Sequence, residues 1–203
     1  MKRLLILLTL LLSSALSQAA DYTEGVDYKT IPQQSTDSGE KIEVLEFFWY
    51  GCTHCYTFEP YINAWKKTKP ANVEFVRMPA IFRPDWEVQA RTYYALSNMG
   101  VIEDLHEKIF AAIHKDKKRL NKKELLTDFV VKHGVDRKKF EEEYNSFAVD
   151  SMVRKAKKKQ TAYKLQGVPS IAVNGKYLTS GSMSGSYDNL IKILDYLLKK
   201  DSK

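Results

Sequence analysis

Cysteine is nearly absent from this 203-residue chain, whose only two thiols are Cys52 and Cys55. A scaffold stapled by several disulfides is therefore excluded, and a tetrahedral zinc site would need two further ligands from elsewhere. Long apolar runs are equally scarce. The one candidate, Leu4 to Leu12 broken only by Thr9, has about half of the ~20 residues that a membrane-spanning helix requires. No later segment is long and apolar enough to span a bilayer, and the chain has no internal repeat and no low-complexity tract.

Lys2-Arg3 precede the short apolar run and Ser17-Gln18-Ala19 follow it, which is the order of a secretory signal peptide over 1–19. Cleavage after Ala19 leaves an exported chain of 184 residues and lowers the formal charge from +7 to +5. That length suits one domain, or one domain carrying an insertion, around a sizeable core. Basic runs at Lys115–Lys123 and Arg154–Lys159 lie on helical stretches where lysine beside glutamate makes a solvated face. No nucleic-acid partner is expected, and an anionic membrane surface is the more natural weak attraction.

Asp21 to Glu40 is polar and reads as an extended arm and surface loop. Lys41 to Tyr50 alternates briefly and then becomes continuously apolar, as a central strand buried on both faces does. Gly51 ends the strand. From Cys52 to Lys67 the residues Cys55, Phe58, Ile62 and Trp65 fall at helical spacing, with Pro60 expected to kink the helix. Val73 to Pro79 is a second strand, and strand-helix-strand implies a parallel pair.

From Trp86 to Gln166 one helix follows another. Asp85 is placed to cap the first, Asn121-x-x-Glu124 resembles a capping box, Asp136 is placed to cap a short helix, and Asp150 to Gln166 forms the last. Strands return at Ser170–Val173 and Lys176–Thr179 around Asn174-Gly175, a hairpin turn whose two residues both need positive φ. Ser186 to Lys200 closes the chain as an amphipathic helix. The pattern is an α/β unit in two pieces, 20–82 and 167–203, around a helical insertion at 83–166.

Redox chemistry is the first function that the cysteine pair suggests. A cysteine at a helix start meets unpaired backbone amides and the positive end of the helix dipole, and both favour thiolate over thiol. Cys52 is thus the candidate nucleophile, with His54 beside it as a donor that is positively charged when protonated. Every tenfold gain in acidity at Cys52 favours the thiolate by ~1.4 kcal/mol. Only the dithiol form carries that thiolate, so the same gain makes the disulfide a stronger oxidant. Cys55, one turn further on, is the candidate resolving partner.

Cys52-Thr53-His54-Cys55 at a strand-helix junction, followed far downstream by Gly167-Val168-Pro169 ahead of a hairpin, resembles the thioredoxin fold. The helical insertion narrows the resemblance to the DsbA family of bacterial periplasmic proteins. It implies an α/β thioredoxin fold with an inserted all-helical domain, and a thiol:disulfide oxidoreductase that needs no cofactor. Its Cys52–Cys55 disulfide would pass to newly exported, cysteine-containing proteins through a mixed disulfide at Cys52. Reoxidation would fall to a membrane quinone-linked partner of the DsbB type, and the protein would act in the periplasm as a monomer.

By the same resemblance Pro169 matches the family's cis-proline, and the Val168 backbone matches the place where an extended substrate strand pairs. Glu46 matches a buried acid beneath the cysteines, suited to a proton relay or to electrostatic tuning. Its partner here is Arg77 where lysine is usual; arginine neutralises a carboxylate but carries protons poorly. Thr53 stands where the best-known members have proline. Two alternatives use the same residues: an isomerase or reductase kept reduced, and a thioredoxin-like metal-binding module. His106, His114 and His133 read as surface or core residues, and Glu59 and Trp65 as structural ones.

Overall fold

The computed structural model describes residues 21–202; the expected signal peptide, 1–19, lies outside them. Strand β1 is Lys29–Thr30 and β2 is Ile42–Phe48, followed by helix α1 at Thr53–Thr68 and β3 at Val73–Pro79. A 3-10 turn at Pro84–Trp86 leads into α2 (Glu87–Asn98), α3 (Ile102–His114), α4 (Lys123–Lys132), α5 (Arg137–Tyr144) and α6 (Phe147–Ala162). Then come β4 (Ser170–Val173), β5 (Tyr177–Ser180), the single-turn α7 (Gly181–Ser184) and α8 (Tyr187–Asp201). No helix among the described residues is long and apolar enough to cross a membrane.

The five strands form one mixed sheet in the order β1-β5-β4-β2-β3. As expected, β2 runs parallel to β3, and it pairs antiparallel with β4 on its other side. Six of the seven β2 residues are buried, Glu43 and Glu46 among them, as on a central strand covered on both faces.

Successive β2 side chains serve two cores. Val44 packs with Phe58 and Ile62 of α1 and with Leu190, Ile193, Leu194 and Leu197 of α8. Leu45 and Phe47 join a larger core that also holds Leu96, Ile109, Phe110, Leu126 and Phe140 from the helical segment. Each such side chain, fully withdrawn from water, contributes about 1.5–3 kcal/mol.

The Asn174-Gly175 turn forms as read, with φ of 48° and 67°. Gly175 has a second reason to be glycine, because a Cβ there would collide with the Gln34 carbonyl. Helix starts were less predictable. Asp136 does cap α5, accepting from the Lys139 N–H at 2.8 Å.

Asp85 lies inside the 3-10 turn and is held by Arg83 at 2.9 Å, so α2 begins without a side-chain cap. The Asn121-x-x-Glu124 box is absent: Leu120 is buried and its carbonyl is bound by Gln89, which delays the start of α4 to Lys123, behind an uncapped Lys122. The last helix of this segment starts three residues early, at Phe147, because Ser146 accepts from the Val149 N–H. It ends at Ala162, before the positive φ of Lys164. The polar arm contributes β1, and α7 fills part of the stretch between the hairpin and the closing helix.

Candidate active site

The end of β2 delivers the cysteines. Gly51 is required there by a close approach, since a Cβ would collide with the Trp49 indole. That indole lies flat on Trp86, with centroids 3.7 Å apart and planes 4° apart.

Cys52 is the N-cap of α1, in extended conformation, and its sulfur accepts the Cys55 N–H at 3.2 Å. This is the geometry in which a serine or aspartate oxygen usually caps a helix, with sulfur in the role. Cys52 is half-buried, Cys55 is fully buried, and both are free thiols.

The same geometry separates the two thiols chemically. A hydrogen bond from the Cys55 thiol holds Cys52 down at about 7 against the cost of its burial, helped by the backbone N–H groups of Cys55 and His54. Burial pushes Cys55 well up, and the neighbouring Cys52 sulfur and Glu46 add to the effect. One sulfur is therefore poised to ionise near neutral pH, while the other is kept protonated.

The sulfur of Cys52 also faces the carbonyl of Val168 at 3.5 Å, across 116 residues of sequence. The peptide bond from Val168 to Pro169 is cis, as the resemblance implied. Between His54, Val168, Pro169, Leu178, Met183 and Tyr187 runs a groove of about 910 Å³. His54 itself is exposed, and its Nδ1 lies 3.1 Å from the Tyr187 hydroxyl. Its contribution to the Cys52 sulfur comes through the backbone N–H rather than the ring.

Beneath the cysteines, Glu46 and Arg77 meet as facing residues of β2 and β3. Arg77 Nε donates to Glu46 at 2.9 Å, and its Nη2 donates to both oxygens of Glu59, at 3.0 and 3.2 Å, and to Asn63. All three charged groups are buried. Burial pushes Glu46 and Glu59 up despite the pull of Arg77. Burial opposes the charge on Arg77, yet the two carboxylates outweigh it and hold the guanidinium charged.

Glu59 was read from sequence as purely structural, and its place in this cluster was missed. A signal existed: it sits four residues after Cys55, so a carboxylate falls on the apolar face of α1. His106 was also missed as a member, with Nε2 3.3 Å from Glu59 and Nδ1 2.9 Å from the Tyr50 hydroxyl. Burial, then Arg77, drives the His106 imidazole well below its usual range, so it is neutral. His114 stacks on Tyr56 and bonds the Tyr50 carbonyl, and His133 bonds the Phe129 carbonyl.

A mixed sheet flanked by α1 and α8, a capping cysteine with a buried partner one turn on, and a cis-proline loop facing the sulfur define a thioredoxin-fold thiol:disulfide oxidoreductase. The chain belongs to the DsbA family, with residues 43–194 matching the family's DSBA-like thioredoxin domain. The thiol:disulfide interchange protein DsbA of Pseudomonas aeruginosa is 45% identical over 187 residues, spanning 91% of this chain and 88% of its own. DsbA of Burkholderia cepacia is 41% identical over 206 residues, spanning 98% and 97%. The crystal structure of P. aeruginosa DsbA superposes with a TM-score of 0.85 at 43% identity, over 89% of this chain and 95% of that one.

Proposed function

We propose that this protein acts in the periplasm after export and oxidises cysteine pairs in newly exported proteins by donating a Cys52–Cys55 disulfide. The observation that carries the reading is the asymmetry of the pair: Cys52 is held at about 7 beside the Val168 carbonyl while Cys55 is pushed far up.

In the first step a substrate thiolate attacks the Cys52 sulfur. The bond between the two enzyme sulfurs breaks, and its electron pair goes to Cys55, which takes up a proton. A second substrate thiolate then attacks the substrate sulfur of the mixed disulfide and expels Cys52 as a thiolate. The substrate has lost two electrons and the enzyme has gained them, so a quinone-linked membrane partner of the DsbB type must remove them again.

Val168 and Pro169 form the wall against which an extended substrate segment lies, with main-chain pairing that ignores side-chain identity. Glu46 and Arg77, with Glu59, set the field under Cys55. Arg77 stays charged, so this cluster tunes the thiols electrostatically and any proton moves on the carboxylates. Residues 20–82 and 167–203 constitute the redox domain of a monomer, and 83–166 the insertion that covers its other face.

The test is a pH titration of thiolate absorbance combined with a redox equilibrium against glutathione. An oxidase gives a low Cys52 midpoint and a dithiol form favoured over glutathione. A midpoint in the ordinary thiol range of about 8–9 with a strongly reducing equilibrium would sink the reading in favour of a reductase.

A further inference from the structure

The groove that passes Val168 and Pro169 takes its lining from β1, the loop after α6 and the stretch from β5 to the start of α8. Apart from His54, the charged residues in that lining are Lys29 and Lys164, and no aspartate or glutamate belongs to it. Both lysines are exposed, and among the described residues neither has a carboxylate within ion-pair reach. Other lysines of the same regions do find one: Lys155, Lys157 and Lys159 on α6 pair with Asp37, Glu87 and Glu43, and Lys176 pairs with Asp201. Glu24 accepts the Thr30 N–H and Asp188 follows Tyr187, but both lie outside the lining.

The backbone holds each lysine beside the substrate wall. Lys29 faces Leu178 of β5, which faces Ala172 of β4, so its Cα is two strand spacings, about 10 Å, from the strand that follows Pro169. Lys164 stands four residues before Val168, in the left-handed region at φ 50°. Its N–H bonds the Thr161 carbonyl at 3.0 Å, and the Leu165 N–H bonds the Gln160 carbonyl at 3.2 Å. That helix ending usually has glycine where Lys164 stands.

We propose that this groove selects by charge, with Lys29 and Lys164 favouring extended substrate segments that carry aspartate or glutamate beside the reactive cysteine. The inference deepens the oxidase reading and rests on it. Main-chain pairing at Val168 admits any sequence, so a bias among substrates has to come from side chains along the groove. Cations without counter-charges attract an acidic segment and repel a basic one. Each contact with a solvated ammonium is weak and is screened by salt, so the outcome is a preference in rate.

The probes are three dithiol peptides, identical except that aspartate, asparagine or lysine flanks the cysteines. Their oxidation by the disulfide form is timed at low salt for the parent and for a Lys29→Gln/Lys164→Gly variant, in which glycine suits the φ of residue 164. Dividing by the asparagine rate cancels any change in the dithiol site, and comparing the two enzymes cancels the acidity of the peptide thiols. The aspartate-to-asparagine ratio should be about twofold to tenfold higher in the parent than in the variant. The lysine-to-asparagine ratio should be lower in the parent, and about 0.5 M salt should bring the parent to the variant's ratios.

Equal ratios in the two enzymes at low salt would overturn the charge preference and leave the oxidase reading standing. If the parent leaves the asparagine peptide as a dithiol, the oxidase reading fails, and the preference that rests on it fails too.

Discussion

The Cys52 sulfur lies 3.5 Å from the carbonyl oxygen of Val168, so the reacting atom and the main chain that would receive substrate share one small volume. The antiparallel pairing of β2 with β4 brings them together, since the end of β2 that leads to Cys52 lies beside the start of β4 that follows Val168. On the proposed function, an extended peptide alongside Val168 would reach the sulfur without any requirement on its side chains.

The Cys55 thiol is the largest single influence lowering Cys52. Replacing it by alanine removes that donor, and the Cys52 titration midpoint should rise by at least one pH unit, about 1.5 kcal/mol or more for a hydrogen bond to a charged group. Cys55→Ser retains a hydroxyl donor and should stay nearer the parent. Thiolate absorbance against pH measures both, and equal midpoints for the two variants would contradict the assignment.

Reduction of the disulfide takes up two protons below the Cys52 midpoint and one above it. With Cys52 at about 7 and Cys55 far higher, the midpoint potential should fall by about 59 mV per pH unit in acid and about 30 mV per unit above neutrality. Equilibration with a dithiol buffer from pH 5 to pH 9 measures the slope. A uniform slope across that range would place the Cys52 midpoint elsewhere.

Arg77 is the cation ion-paired with both buried carboxylates, Glu46 and Glu59. Arg77→Met leaves two buried carboxylates without their ion-paired cation and should cost about 3–5 kcal/mol in urea unfolding. Lysine restores the charge but cannot reach both carboxylates with a fixed fork, and its loss should be about 1–3 kcal/mol. If R77M unfolds at the same urea concentration as the parent, the cluster contributes nothing to stability.

His106 is neutral in the folded protein and would gain a proton on unfolding in acid. Its folded pKa is lowered, so it should add to stability above about pH 6.5 and withdraw that contribution as pH falls, by up to ~1.4 kcal/mol per pH unit. Glu59, Tyr50, Glu46 and Arg77 face it. The carboxylates' raised values act in the opposite sense, favouring the folded state in acid. Comparing unfolding at pH 7.5 and pH 5 in the parent and in His106→Gln isolates the histidine, and an identical pH response in both would refute the claim.

Gly51→Ala forces a methyl group into the Trp49 indole. The stack on Trp86 should open, with loss of the pair's near-ultraviolet circular dichroism and about 1–3 kcal/mol of stability from overpacking. An unchanged spectrum would show that the indole has another place to go.

What could be read in the chain was local. The apolar run of β2, the Asn174-Gly175 turn, the helical spacing of Phe58, Ile62 and Trp65, and the cysteine pair at the strand-helix junction each follow from neighbours within a few residues. Steric and hydrogen-bonding rules act at that range. The helix starts at Asp85 and Asn121 misled because the tertiary structure used those residues otherwise: Arg83 held Asp85, and the burial of Leu120 delayed α4.

Arg77 was paired with Glu46 by resemblance, yet the reach of its second guanidinium nitrogen to Glu59, and of His106 to Glu59, depended on how α1 and α3 cross behind the sheet. The contact of His54 with Tyr187 depended likewise on α8 folding back over α1. Covalent order places Cys52, His54 and Cys55 together. That local turn already lowers Cys52, and packing adds the distant partners, Val168, Tyr187 and Glu46, because such contacts form only between groups that folding brings close together.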